Sequence, residues 1–220
     1  MKVLIACEFS GTVRDEFIKQ GHDAVSCDLL PSMSKYGPHI QGDVLDVIGA
    51  ESWDLMIAHP PCTYLSVVGN RWFKNNPERE REREEAFNFA MKLYNAPISK
   101  VCMENPMGYL NTHFRKPDQI IHPYMFGDHE MKKTCLWLKK LPKLYWSLPN
   151  AKKPEPIWIR HTKKGEGKKI YFTESCIRCK DSERWMVRSK TFPGIAHAMA
   201  VQWGSEKTQY FTESYGGSLA

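Results

Sequence analysis

Three short apolar runs constrain this chain more than anything else in it: Val3–Cys7, Leu55–Ala58 and Val101–Met103 are of strand length and carry no polar alternation. A strand that is apolar on both faces must be covered on both faces, which is the condition of a parallel sheet sandwiched between helices. The first run passes through Glu8-Phe9-Ser10-Gly11-Thr12, a turn whose glycine lets a ligand approach the backbone closely. Helical spacing follows over Val13–Gln20, with Val13, Phe17 and Ile18 facing inward and Gly21 placed to end the helix. Asp23–Asp28 then reads as a second strand that terminates in an acid. Strand, glycine turn, helix, strand and terminal carboxylate make up the nucleotide-binding half of a Rossmann-like unit, although the GxGxxG spacing is absent. A carboxylate at Asp28 can accept both ribose hydroxyls of an adenosine.

Further along, Leu29–Gln41 reads as a loop and Gly42-Asp43-Val44 as a short third strand. Asp43 then lies near the adenine end of the same pocket; the alternative is a turn or helix cap before Val44-Leu45-Asp46-Val47. The run Trp53–Ala58 stops at His59-Pro60-Pro61-Cys62, because proline cannot continue a central ladder. Cys62 is thereby expected just past the carboxyl end of a strand, where open α/β sheets carry their chemistry. Ser99–Glu104 is the next strand and ends the same way, at Glu104-Asn105-Pro106. Between them, Thr63–Asn76 is long enough for a mobile loop over the site. A helix follows from about Glu78 to Asn95: its mixed-charge first half reads as a solvated face, and its second half buries Ala86, Phe87, Phe89, Ala90 and Leu93.

Hydrophobic residues at 42% of a 220-residue chain supply one domain's core and exclude a disordered chain. A formal charge of +6 favours an anionic partner, nucleic acid or nucleotide first. Seven cysteines, several inside apolar runs (Cys7, Cys27, Cys102), suit free thiols in a reducing, cytoplasmic compartment. The amino-terminal apolar run is too short for a signal peptide, and no stretch approaches a membrane span. The expected organisation is a core over residues 1–138, a loop-rich basic insert over 139–183, a segment returning to the core over 184–204, and a polar tail over 205–220.

A thiol and a carboxylate on neighbouring strand ends suggest covalent chemistry on an electron-poor ring. A thiolate adds to a ring carbon while an acid stabilises the charge that builds up, and the ring becomes able to accept an electrophile. With an adenosine site nearby, the electrophile suggested is the methyl group of S-adenosylmethionine. Here the chain resembles the cytosine carbon-5 DNA methyltransferases, especially the short forms of phages and prophages. Phe9-Ser10-Gly11 resembles that family's cofactor loop, Asp28 its ribose acid, Gly42-Asp43 its third motif, Pro61-Cys62 its nucleophile motif and Glu104-Asn105 its Glu-Asn-Val motif. The five matches fall in order over roughly residues 1–138. The resemblance implies a Rossmann-like, S-adenosylmethionine-dependent methyltransferase, α/β with a mostly parallel sheet flanked by helices. It implies Cys62 and Glu104 as catalytic, and Phe9, Ser10, Gly11, Asp28, Asp43 and Pro60 around the cofactor.

The chain departs from the family in three places. Thr63 replaces the glutamine after Pro-Cys, Pro106 replaces the valine, and the Gln-x-Arg-x-Arg motif falls near Glu130-x-Lys132-x-Thr134. Asn105, Lys132, Lys133, Arg184 and Arg188 are therefore the candidate substrate contacts. The substrate is expected to be DNA, with a cytosine nucleotide or a single strand as alternatives, since the insert is small for a duplex-reading module. His59-Pro60-Pro61-Cys62 also resembles the Asp/Asn/Ser-Pro-Pro-aromatic motif of exocyclic-amino methyltransferases, and a catalytically silent nucleic-acid-binding relative is a further alternative. Cys176 and Cys179 form a lone C-x-x-C read as loop thiols in preference to a metal site, and no metal is expected.

Overall fold

The computed structural model describes residues 1–148, 150–156, 158–161, 167–170, 186 and 188–205. Arg184, Cys176 and Cys179 lie outside the described residues. The strands are β1 (Lys2–Ala6), β2 (Asp23–Asp28), β3 (His39–Gln41), β4 (Leu55–Ala58), β5 (Lys100–Pro106), β6 (Gln119–Ile121) and β7 (Thr134–Lys139), with a hairpin of β8 (Trp158–His161) and β9 (Gly167–Ile170). The helices are α1 (Thr12–Lys19), α2 (Val44–Ala50), α3 (Pro77–Tyr94), a single turn α4 (Leu110–His113) and α5 (Pro193–Gly204).

Seven strands form one sheet in the order β3-β2-β1-β4-β5-β7-β6. The pairings from β3 to β5 are parallel, and β7 runs antiparallel to both its neighbours. This is the mostly parallel, helix-flanked α/β arrangement expected from the apolar runs. The period of two along each strand sorts its residues to opposite faces. Val3, Ile5, Leu55, Ile57 and Cys102 pack with α1 and α5, while Leu4, Ala6, Met56, Ala58 and Val101 pack with α2 and the end of α3. Both faces are covered, which is why Val3–Ala6, Leu55–Ala58 and Val101–Met103 contain no polar residue.

The strand order reverses direction between β1 and β4, and a crevice opens there outside the carboxyl ends. The ladder carries one residue further than the strands, since the His59 N–H donates to the Ala6 carbonyl at 2.9 Å. The two prolines then end it.

Several local expectations are corrected. The third strand is His39–Gln41, inside the segment expected to be loop, and Gly42-Asp43-Val44 is not strand. Asp43 caps α2, its carboxylate accepting from the Leu45 N–H at 2.9 Å, which leaves its backbone no ladder to join. Helix α3 buries only Ala90 and Leu93 fully; Ala86 and Phe87 are half-buried at the edge of the cluster of Leu65, Met103 and Trp137, and Phe89 at the edge of that of Leu4 and Met56. The Thr63–Asn76 segment is pinned. Leu65 and Ser66 N–H groups donate to the Cys62 carbonyl, Val67 donates to Met107, Tyr109 donates to Leu65, and Leu65 is buried.

Part of the α3 charge run holds the same segment in place. Arg83 donates to the Tyr64 carbonyl at 3.1 Å and to Asn70 at 2.8 Å, and its guanidinium lies 3.2 Å from the Phe73 ring centre. A solvated face would make none of these contacts. The loop after β2 is strapped down too. Arg14, fully buried, donates to Ser26, Ser32, Ser34 and Pro38, and the Met33 N–H donates to the Phe9 carbonyl. Among the described residues, no helix is long and apolar enough to cross a membrane.

Candidate active site

Strands β4 and β5 are parallel neighbours with Ala58 opposite Met103, so the next step of the register sets His59 beside Glu104. Their side chains meet, with His59 Nδ1 and Glu104 Oε2 3.2 Å apart. One residue further along β5, Asn105 is buried and its amide donates to the Pro60 carbonyl at 2.8 Å. The dipeptide Glu104-Asn105 thus holds both ends of His59-Pro60, and Cys62 follows two residues later. Asn105, a candidate substrate contact, is spent on positioning this loop, while its Oδ1 is buried without a partner.

Cys62 is exposed to solvent at the turn. The protein around it still desolvates the thiol, and this together with the Glu104 charge pushes its pKa up, against an opposing pull from Lys132 and Arg188. Glu104 behaves in the opposite way. Burial alone raises a carboxyl, but the His59 hydrogen bond and the charges of Lys132 and His59 outweigh it and hold Glu104 below the usual carboxylate range. Cys62, Glu104, Lys132 and Arg188 therefore share one electrostatic neighbourhood.

A small cleft beside Glu104 is lined by Lys132, Thr134, Lys190, Thr191, Phe192 and Ile195. Lys132 spans it, its Nζ donating to the Arg188 carbonyl at 3.1 Å and lying 5.7 Å from the Phe192 ring centre. Of the basic candidates, Lys132 lines this cleft and Arg188 offers it a backbone carbonyl, while Lys133 is exposed and acts on His122. Lys190, Thr191 and Phe192 were not singled out in the sequence, since nothing local ties the entry to α5 to the end of β5. The role of His59 was legible only once the register of β4 on β5 was known.

The candidate cofactor residues surround the ends of β1 and β2. Burial pushes the Cys27 thiol up to about 11, with Asp28 and Asp43 adding to the shift; the same two carboxylates act on Cys7. Both acids therefore lie within electrostatic reach of the ends of β1 and β2. Asp28 also accepts from the Leu30 N–H at 3.0 Å through Oδ1. Phe9 is buried, and Ser10 donates to Glu8 at 3.1 Å.

The glycine of the loop does not serve as expected. Gly11 has φ 75°, and the space a Cβ would take is filled by the Arg14 guanidinium and Ser34, so the glycine admits protein there and not a ligand. The first amides of α1 are also taken, Val13 N–H donating to Glu8 at 2.7 Å and Arg14 N–H at 3.3 Å. A ligand carboxylate therefore finds no free amides at Val13 and Arg14. Among the described residues no cluster could hold a metal ion.

Fold and site together describe a Rossmann-like α/β fold that carries a cysteine and a carboxylate at the ends of adjacent strands. A solved E. coli structure described as a "putative DNA modification methyltransferase encoded within prophage" is similar to this chain, with 11% sequence identity and a TM-score of 0.42. The match covers 74% of this chain and 58% of that one, so this chain spans little more than half of that protein's length. No family model and no curated protein matches the sequence.

Proposed function

We propose that this protein is an S-adenosylmethionine-dependent methyltransferase that modifies carbon 5 of cytosine in DNA through a covalent Cys62 adduct. The observation that carries the reading is the exposed Cys62 thiol within electrostatic reach of Glu104, Lys132 and Arg188, at the ends of neighbouring parallel strands. In this reading Cys62 attacks carbon 6 of the ring and Glu104 stabilises the ring nitrogen. Lys132 and Arg188 take the place of the family's arginine contact, and Asn105 keeps the Pro60 carbonyl, and with it the nucleophile loop, in place. Lys133, exposed, extends the basic surface offered to the nucleic acid, and Arg184 is kept as a further candidate contact from the sequence. Phe9, Ser10, Asp28, Asp43 and Pro60 would hold the cofactor, which when bound supplies the methyl group. A duplex substrate must have its cytosine flipped out to reach Cys62.

The engagement of His59 with Glu104 supports this reading over exocyclic-amino transfer, because the first residue of the His-Pro-Pro segment is turned to a carboxylate and not left to hold an amino group. The test is transfer of label from methyl-labelled S-adenosylmethionine to duplex DNA, single-stranded DNA and dCMP, with Cys62→Ala alongside. Label on carbon 5 of cytosine that disappears in the variant is the expected result, and the substrate that accepts it names the acceptor class. Label on an exocyclic nitrogen that survives the variant would refute the reading.

A further inference from the structure

We propose that His59 is a positioning residue for the reaction: it fixes the Glu104 carboxylate at the end of β5 and gives the pair a proton that passes to the acceptor ring through Glu104. The inference rests on the methyltransferase reading for the ring, and on geometry alone for the pairing.

The geometry begins in the backbone. The His59 N–H is held by Ala6 at 2.9 Å, and the next two residues are prolines with fixed φ, so the imidazole has one place to go. It goes to Glu104, 3.2 Å away, with 9% of its own side chain and 16% of the glutamate's exposed. A histidine kept for packing would have both ring nitrogens satisfied. Here Nδ1 meets Glu104, and Nε2 is buried with no partner, a state that costs about 1–3 kcal/mol. An incompletely satisfied imidazole nine-tenths buried beside an exposed nucleophile is what a site keeps when substrate or water completes it.

The groups facing Glu104 are few. His59 approaches from the end of β4, Lys132 from the segment before β7, and Lys190 from the segment before α5; the thiols of Cys62, Cys102 and Cys135 feel its charge. Of the cations, His59 alone makes a described hydrogen bond to it, and an imidazole, unlike an ammonium, can both donate and accept a proton there. Glu104 held ionised is a poor acid by itself. With His59 behind it, the pair carries one proton. Cys62, exposed, first gives its thiol proton to solvent; as the thiolate bonds to carbon 6, the ring double-bond electrons move toward the ring nitrogen, which takes a proton from Glu104. That proton is the one His59 held, relayed through the carboxylate, so the imidazole is left neutral and Glu104 ionised. When the carbon–sulfur bond breaks, the proton returns by the same path, so the pair is regenerated.

Two measurements on the full chain decide this. The first follows the Glu104 carboxyl by carbon-13 NMR during a pH titration of wild type, His59→Asn and His59→Leu. Asparagine keeps a donor near the Nδ1 position without a titratable proton. The expected result is a proton affinity of Glu104 raised at least tenfold in His59→Leu and less in His59→Asn. An unchanged titration in both variants overturns the positioning role whether or not methylation occurs.

The second is the pH profile of methyl transfer. Wild type should lose rate at high pH as the pair gives up its proton, and His59→Asn should lose that limb and at least tenfold in kcat with KM within about twofold. A His59→Asn profile superimposable on wild type overturns the proton role. Absence of transfer by wild type itself would count against the proposed function, and the NMR result would still decide the pairing.

Discussion

Replacing Asn105 separates a positioning amide from a substrate contact. Its side chain is 1% exposed, donates to the Pro60 carbonyl at 2.8 Å, and carries a second oxygen that is buried and unpartnered. Asn105→Ala strands the Pro60 carbonyl, at about 1–3 kcal/mol, but also removes the unpartnered oxygen, so the net loss should be about 1–2 kcal/mol. Asn105→Asp keeps the shape and does worse. It sets a carboxylate oxygen against the carbonyl oxygen in a buried site next to Glu104, for about 3 kcal/mol or more. At about 2–4 °C per kcal/mol for a chain of this size, Tm should fall by roughly 2–8 °C for alanine and by more than about 6 °C for aspartate at pH 7.

The pH dependence gives the sign. A buried aspartate at 105 has its folded pKa raised above its unfolded value, so the folded state is favoured below the unfolded pKa and loses that advantage as pH rises through the folded one. The aspartate variant should therefore approach wild type in acid and fall away toward neutrality. Melting of the three proteins from pH 5 to 8, with site-resolved alkylation of Cys62, makes the measurement. If alanine and aspartate are equal at pH 7, or if both melt like wild type, the Asn105–Pro60 bond does not hold the nucleophile loop.

Two further predictions follow from the same site. Glu104→Gln removes a charge that raises the Cys62 pKa, so alkylation of Cys62 near pH 8, resolved by mass spectrometry, should speed up by at least about twofold; slower labelling would mean that Glu104 helps to ionise the thiol. Gly108→Ala puts a Cβ into the Leu65 carbonyl and must displace the strand-like contact between Ser66 and Gly108. Stability should drop by about 1–3 kcal/mol, with faster proteolysis between Thr63 and Asn76, and unchanged protease resistance there would argue against the pinned loop.

Much of the site was legible before any fold was known. Apolar runs that end at proline announce strand tips, and Cys62 and Glu104 stand at two of them. Asp28 could be placed the same way, as the acid ending the second strand. The misreadings share one cause. Asp43, Gly11 and the α3 charge run each carry a residue type that serves equally well for a ligand, a cap or a neighbouring loop. Asp43 caps α2, the open side of Gly11 holds Arg14 and Ser34, and Arg83 reaches the Tyr64 carbonyl. Gly11 and Arg83 thus spend on contacts within the protein what the sequence offered to a ligand or to solvent, while Asp43 takes the helix cap that was its alternative and not the strand.

The sequence by itself determined which segments are buried strands, where they stop, and which reactive groups stand at the stops, because hydrophobic period and proline stereochemistry act within a few residues. Only the tertiary structure decided which of those groups meet. The adjacency of β4 and β5 put His59 against Glu104 and Asn105 beneath Pro60. The return of the chain into α5 brought Arg188, Lys190 and Phe192 to Lys132. Strand register and long-range packing are properties of the whole sheet, and no local run of residues encodes them.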